Sequence, residues 1–133
     1  MHKFILYTFS LFIFTSCKNT SRDHSKDIFN AIVSFKDTIY DFRTSNDYSK
    51  IKSPIFEYTN IGDVPAIVLN VNPSCKCTSA EYTKEPVMPG KKGNITVIYD
   101  GNNDNSGYFE KSVSVRFNSE VKYVLKIRGA NNL

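Results

Sequence analysis

The stretch "YFEKSVSVRFNSEVKYVLKIRG", residues 108–129, decides the fold. Phe109, Lys111, Val113, Val115 and Phe117 fall on one side of an alternating run, with Ser112, Ser114 and Arg116 on the other. After "NSE" the pattern restarts. Val121, Tyr123, Leu125 and Ile127 alternate with Lys122, Lys126 and Arg128, and only Val124 breaks the polar side. A period of two places successive side chains on opposite faces, so both runs read as strands with one dry and one wet face.

The same signal extends upstream. "NITVIYD" (94–100) alternates Ile95, Val97 and Tyr99 with Thr96 and Ile98, and "IFEYTNIGD" sets Phe56 and Tyr58 against Ile55, Glu57 and Thr59 before a turn at Asn60–Asp63. "AIVLNV" (66–71) reads as a buried strand, and "IFNAIVSFKDTIYDF" (28–42) as strands because β-branched and aromatic residues dominate it. "RTSNDYSKIKSP" (43–54), "KEPVMPGKKG" (84–93) and "GNNDNSG" (101–107) read as connections, the last as a hairpin loop. Short alternating strands separated by turn signals predict an all-β, two-sheet antiparallel sandwich; a closed barrel is the alternative.

The 133 residues fit one domain with appendages. The formal charge of +4 is scattered, with no block of like charges, which gives no support to nucleic-acid binding. No phosphate-binding glycine loop or internal repeat occurs, so no nucleotide cofactor or small-molecule substrate is indicated. Asp100, Asn102 and Asp104 have calcium-loop spacing, but Asn105 and Lys111 stand where such a loop needs Gly and Glu. Glu81, Glu85 and Glu110 show no spacing that makes a carboxylate pair, and "NIT" (94–96) lies in a strand.

The N-terminus has the layout of an export signal. Lys3 precedes an apolar run from Phe4 to Phe14, too short to span a bilayer, then Thr15, Ser16 and Cys17. This arrangement resembles the bacterial lipobox. The resemblance implies cleavage after residue 16, diacylglycerol on Cys17, and attachment to a membrane of the bacterial cell envelope, on its periplasmic face. Residues 1–16 are then a leader, 17–27 a lipidated cysteine with a polar tether, and 28–133 the folded domain. Losing Lys3 lowers the formal charge from +4 to about +3.

Export leaves Cys75 and Cys77 as a pair in a compartment that permits disulfides. The folded domain contains no histidine, since His2 belongs to the leader and His24 to the tether. That excludes Ser–His and Cys–His nucleophiles and most zinc sites, so no catalytic residue is assigned. In an extended strand the Cα atoms of residues i and i+2 stand about 6.5 Å apart, so a Cys75–Cys77 bridge requires a bend. Three states stay open: a labile disulfide, two packed thiols, and a soft-metal clip for Cu or Zn. In the last, Met88 would add a thioether if its loop adjoined the cysteines.

Taken together, Asn60-Ile61-Gly62-Asp63, Ser74-Cys75-Lys76-Cys77-Thr78, Pro89-Gly90, Tyr99-Asp100, Gly107-Tyr108-Phe109 and Asn118 resemble the domain-of-unknown-function family 1573, common in exported Bacteroidetes proteins. The resemblance covers roughly residues 35–130. It implies an immunoglobulin-like sandwich similar to pilus chaperones and cilia-associated modules, and no established activity. The family usually carries Gly between the cysteines, where this chain has Lys76; a positive φ there would cost lysine what it does not cost glycine. The expected role is recognition of a protein partner, through loops or an exposed strand edge. A thiol-based redox or soft-metal function is the alternative.

Overall fold

The structure is a computed structural model and describes residues 30–42, 51–101 and 107–131. Its elements are β1 (Val33–Phe35), β2 (Ile39–Asp41), β3 (Ile51–Lys52), β4 (Ile55–Asn60), β5 (Val68–Pro73), β6 (Thr78–Tyr82), β7 (Lys92–Asp100), β8 (Gly107–Phe117) and β9 (Lys122–Asn131). No helix among the described residues is long and apolar enough to cross a membrane.

The strands form two sheets. In the first, β7 lies between β4 and β6, and β1 pairs with the far side of β4. β3 and β4 are one strand interrupted at Pro54, because Lys52↔Tyr99 and Ile55↔Thr96 keep a single register against β7. Pro54 has no N–H to give the ladder, yet its carbonyl still accepts from Val97 N–H at 3.0 Å. The second sheet runs β2-β9-β8-β5, with β2 parallel to β9 and the rest antiparallel. The sandwich, and not the closed barrel, is the architecture.

The alternation read from sequence becomes the core. Phe109, Val113, Val115 and Phe117 of β8 and Leu125 and Ile127 of β9 are buried against Phe56 and Tyr58 of β4 and Ile95, Val97 and Tyr99 of β7. Each such side chain contributes about 1.5–3 kcal/mol by leaving water. Aromatic rings close the core at both ends. Tyr58, Phe117, Phe35 and Tyr123 meet at one end, with Tyr58 and Phe117 at 4.9 Å; Tyr99 and Phe109 stack at 4.4 Å at the other, beside Phe42. Both groups sit over a glycine. A Cβ on Gly93 would lie 2.4 Å from the Tyr58 ring opposite it, and one on Gly129 would lie 3.1 Å from Phe109. Glycine is used here for room.

Three sequence expectations are corrected. "AIVLNV" is not a buried strand: β5 starts at Val68, forms a sheet edge, and shifts register between Val68 and Asn70, leaving Leu69 47% exposed. An apolar run signals burial on both faces only when both faces are covered, and an edge with a bulge escapes that rule. Residues 101–107 do not join a hairpin, because β7 and β8 belong to different sheets; residues 102–106 lie outside the described residues. Finally, residues 43–54, read as a connection, contain the two-residue strand β3, too short to show a period in sequence.

Candidate functional site: two poles and an open seam

The cysteine turn carries the chain from β5 in one sheet to β6 in the other. Ser74 fixes its entry, donating its N–H to Ser112 O at 2.8 Å and accepting Ser112 N–H on its hydroxyl at 3.1 Å. The turn closes when Thr78 N–H donates to Cys75 O at 3.3 Å, which makes Lys76 and Cys77 its central residues. Among the described residues no non-glycine has positive φ, so this turn belongs with type I, which admits most residues. Lys76 therefore stands in place of the expected Gly without backbone strain, and the anticipated cost of a positive φ does not arise.

Cys75 and Cys77 are joined by a disulfide, their Cα atoms brought to 5.3 Å by the turn. The Thr78 hydroxyl donates to Cys75 Sγ at 3.2 Å and lies 3.8 Å from Cys77 Sγ, and Cys77 packs against the core. On the far side Asp100 N–H donates to Cys77 O at 3.0 Å. In this form the sulfurs offer no thiolate to a metal, and Lys76 has no thiol beside it to activate.

Met88 does not join them. Cys77 sits beside Asp100 at the end of β7, whereas Met88 precedes the start of β7, bonded through its carbonyl to Lys91 N–H. The nine residues of β7 separate the two by roughly 25–30 Å at the rise of an extended strand. The soft-ligand set that includes Met88 is therefore split between opposite poles. Among the described residues no group of three or more His, Cys, Asp or Glu comes together to hold a metal. Cys17 lies outside the described residues.

At the Met88 pole, two buried asparagines hold the connections. Asn60 donates through Nδ2 to Val64 O and Val87 O, both at 2.8 Å, and its Oδ1 accepts Gly62 N–H at 3.0 Å. Asn118 accepts Ile67 N–H at 2.8 Å and donates to Pro65 O at 3.0 Å. The turn at Gly62 passes so close to β1 that a Cβ there would meet Ile32 N at 2.9 Å. Asn60, Gly62 and Asn118, which look like a signature in sequence, thus serve architecture. Ala31 N–H donates to Asn118 O, so the described chain begins at this pole.

The site that sequence reading missed lies between the poles. β1 pairs only with Tyr58–Asn60; Lys36 N–H donates to Glu57 O at 3.0 Å, and by Thr38, whose carbonyl accepts Lys126 N–H, the chain has joined the other sheet. This switch leaves Ser53–Phe56 with no strand on the side away from β7 among the described residues. Glu57 O and Ile61 N–H point toward β1 while Pro54 O points toward β7, so alternation aims the main-chain groups of Ser53 and Ile55 into the gap. A cleft of about 520 Å³ opens there, lined by Lys36, Ile39, Tyr40, Asp41, Ile55 and Glu57 above buried Phe56. Ile39, Tyr40 and Ile55 are 48%, 37% and 61% exposed. Glu57 accepts from Lys92 Nζ at 2.9 Å, and that hydrogen bond holds its carboxyl below the usual range. The signal available in sequence was the polar Lys36-Asp37-Thr38 between two short apolar runs, together with Pro54.

Comparison with known proteins agrees with this architecture. The fold is similar to that of a protein of unknown function from Porphyromonas gingivalis W83, with a TM-score of 0.63 at 13% identity over 76% of this chain and 47% of that one. It is also similar to the ASH / PapD-like domain 7 of human CEP192, with a TM-score of 0.54 at 8% identity over 78% and 87% of the two chains. Part of the Vibrio cholerae VesB protease matches with a TM-score of 0.55 at 14% identity, over 74% of this chain and 31% of that one. The chain spans about half the length of the Porphyromonas protein, and at these identities the likeness concerns the fold alone. No curated protein matches by sequence. The family model described as "Protein of unknown function (DUF1573)" matches residues 33–131, from β1 through β9, and the chain belongs to that family.

Proposed function

We propose that this protein is an exported, lipid-anchored recognition module that binds an extended segment of a partner protein in the seam between its sheets. The observation that carries the reading is the edge at Ser53 and Ile55, unpaired among the described residues, beside a cleft with three exposed apolar side chains. Main-chain groups aimed into a gap supply hydrogen bonds to any extended backbone, and alternate apolar contacts select its side chains.

The anchor is Cys17, exposed by removal of residues 1–16, and the setting is the periplasmic face of a bacterial membrane. Asn30 lies thirteen positions after Cys17, a reach of at most about 45 Å. The described chain begins beside Asn118, so the tether meets the domain at the asparagine pole.

The test uses nine-residue random peptides displayed on phage and selected on the purified protein. Peptides should be retained by the wild type and lost on Ile55→Lys, with Cys75→Ser/Cys77→Ser unaffected. Equal retention by wild type and Ile55→Lys would refute the seam. Mass spectrometry of the mature protein tests the anchor, with diacylglycerol on Cys17 expected.

A further inference from the structure

On the outer face of the second sheet, we infer a binding site for an oxyanion of the phosphate or sulfate type, built on Arg116 and Lys122. These two cations are direct cross-strand partners in β8 and β9. Directly opposed side chains in an antiparallel pair have Cβ atoms about 5 Å apart, and like charges so placed repel. On the same face the neighbouring cations are neutralised: Lys126 Nζ is 3.0 Å from Glu110, and Arg128 Nε is 2.9 Å from Asp41. No described carboxylate forms an ion pair with Arg116 or Lys122, Glu120 of the adjoining turn included.

What surrounds the pair is a set of neutral donors. Asn70 is the register partner of Arg116 on the other side, and Asn72 is the partner of Ser114. The rows Asn70–Arg116–Lys122 and Asn72–Ser114 lie two residues apart on one face and line a cleft of about 290 Å³. Two cations supply charge, the guanidinium can grip two oxygens at once, and the amides and hydroxyl complete the donor set. A cation pair that repels in the free protein is relieved by an anion between the two groups. A pair placed only for solubility needs neither the cleft nor the amides.

The experiment follows thermal unfolding and side-chain amide resonances during titration with sodium phosphate and sodium sulfate. Sodium chloride at equal ionic strength is the control. Saturable stabilisation at low millimolar anion is expected for the wild type, with shifts confined to the Asn70 and Asn72 side chains. Affinity should fall at least tenfold in Arg116→Gln and Lys122→Gln, and should be unchanged in Lys126→Gln, which removes a paired cation. Both target residues are exposed, and the amide shifts in the wild type stand as evidence if a variant fails to fold. Vesicles of phosphatidylglycerol, set against phosphatidylcholine, separate a lipid-borne phosphate from a free one. An equal response to chloride, or an equal response of the Gln variants, would overturn the site.

Discussion

The two poles of the sandwich close their connections by different means. The cysteine pole uses a covalent bond that encloses a single residue. The asparagine pole uses two side-chain amides, buried to 0% and 2% exposure, that tie the β4–β5 connection to segments far away in sequence. A cross-link stabilises mainly by restricting the unfolded chain, and a bridge across one residue restricts almost nothing. A buried amide that serves several main-chain groups leaves all of them unsatisfied when removed. The hydrogen-bonded pole therefore holds more of the fold than the covalent one.

Removing either amide should give the largest effect. Asn60→Ala or Asn118→Ala should cost about 3 kcal/mol, because each strands several buried donors or acceptors worth roughly 1–3 kcal/mol apiece. Chemical denaturation would measure this. Gly93→Ala is expected to cost about 2 kcal/mol through overpacking against Tyr58. In contrast, Cys75→Ser/Cys77→Ser should change stability by less than about 1 kcal/mol. A loss comparable to that of Asn60→Ala would erase the contrast between the poles.

Tyr58 sharpens the comparison from within the core near the asparagine pole. Its hydroxyl is buried and has no hydrogen-bond partner among the described residues, and burial pushes its pKa up to about 12 from 10. The unfolded chain thus releases this proton first as pH rises, so it binds fewer protons than the folded state between those values, and stability falls from pH 10 toward 12. Tyr58→Phe should raise stability at neutral pH by up to about 1 kcal/mol and reduce that alkaline slope. At low pH the sign follows Glu57 and Glu110. Their lowered pKa values give stability at neutral pH that is lost as pH falls through the folded-state values, and exposure keeps this the smallest effect.

Much of the fold was legible because β7, β8 and β9 are long enough for period two to repeat. Their buried residues Ile95, Val97, Tyr99, Phe109, Val113, Val115, Phe117, Leu125 and Ile127 match the alternation, whereas Val121, read on the same side, precedes β9 and is 55% exposed. The seam was not legible. β1 and β2 are three residues each, too short for a pattern, and their partners β4 and β9 are fixed by distant pairing. The same distance defeats reasoning about Met88, since a ligand set depends on which ends of strands meet. Arg116 and Lys122 were placed on the wet faces correctly, but their opposition follows only from the register.

Amide hydrogen exchange with a phage-selected extended peptide bound tests the recognition reading most directly. The account predicts slowed exchange at Ser53 and Ile55, whose N–H groups face the gap, with no change at Lys76, Cys77 or along β5. Protection confined to β5 or to the cysteine turn, with Ser53 and Ile55 exchanging as in the free protein, would contradict it.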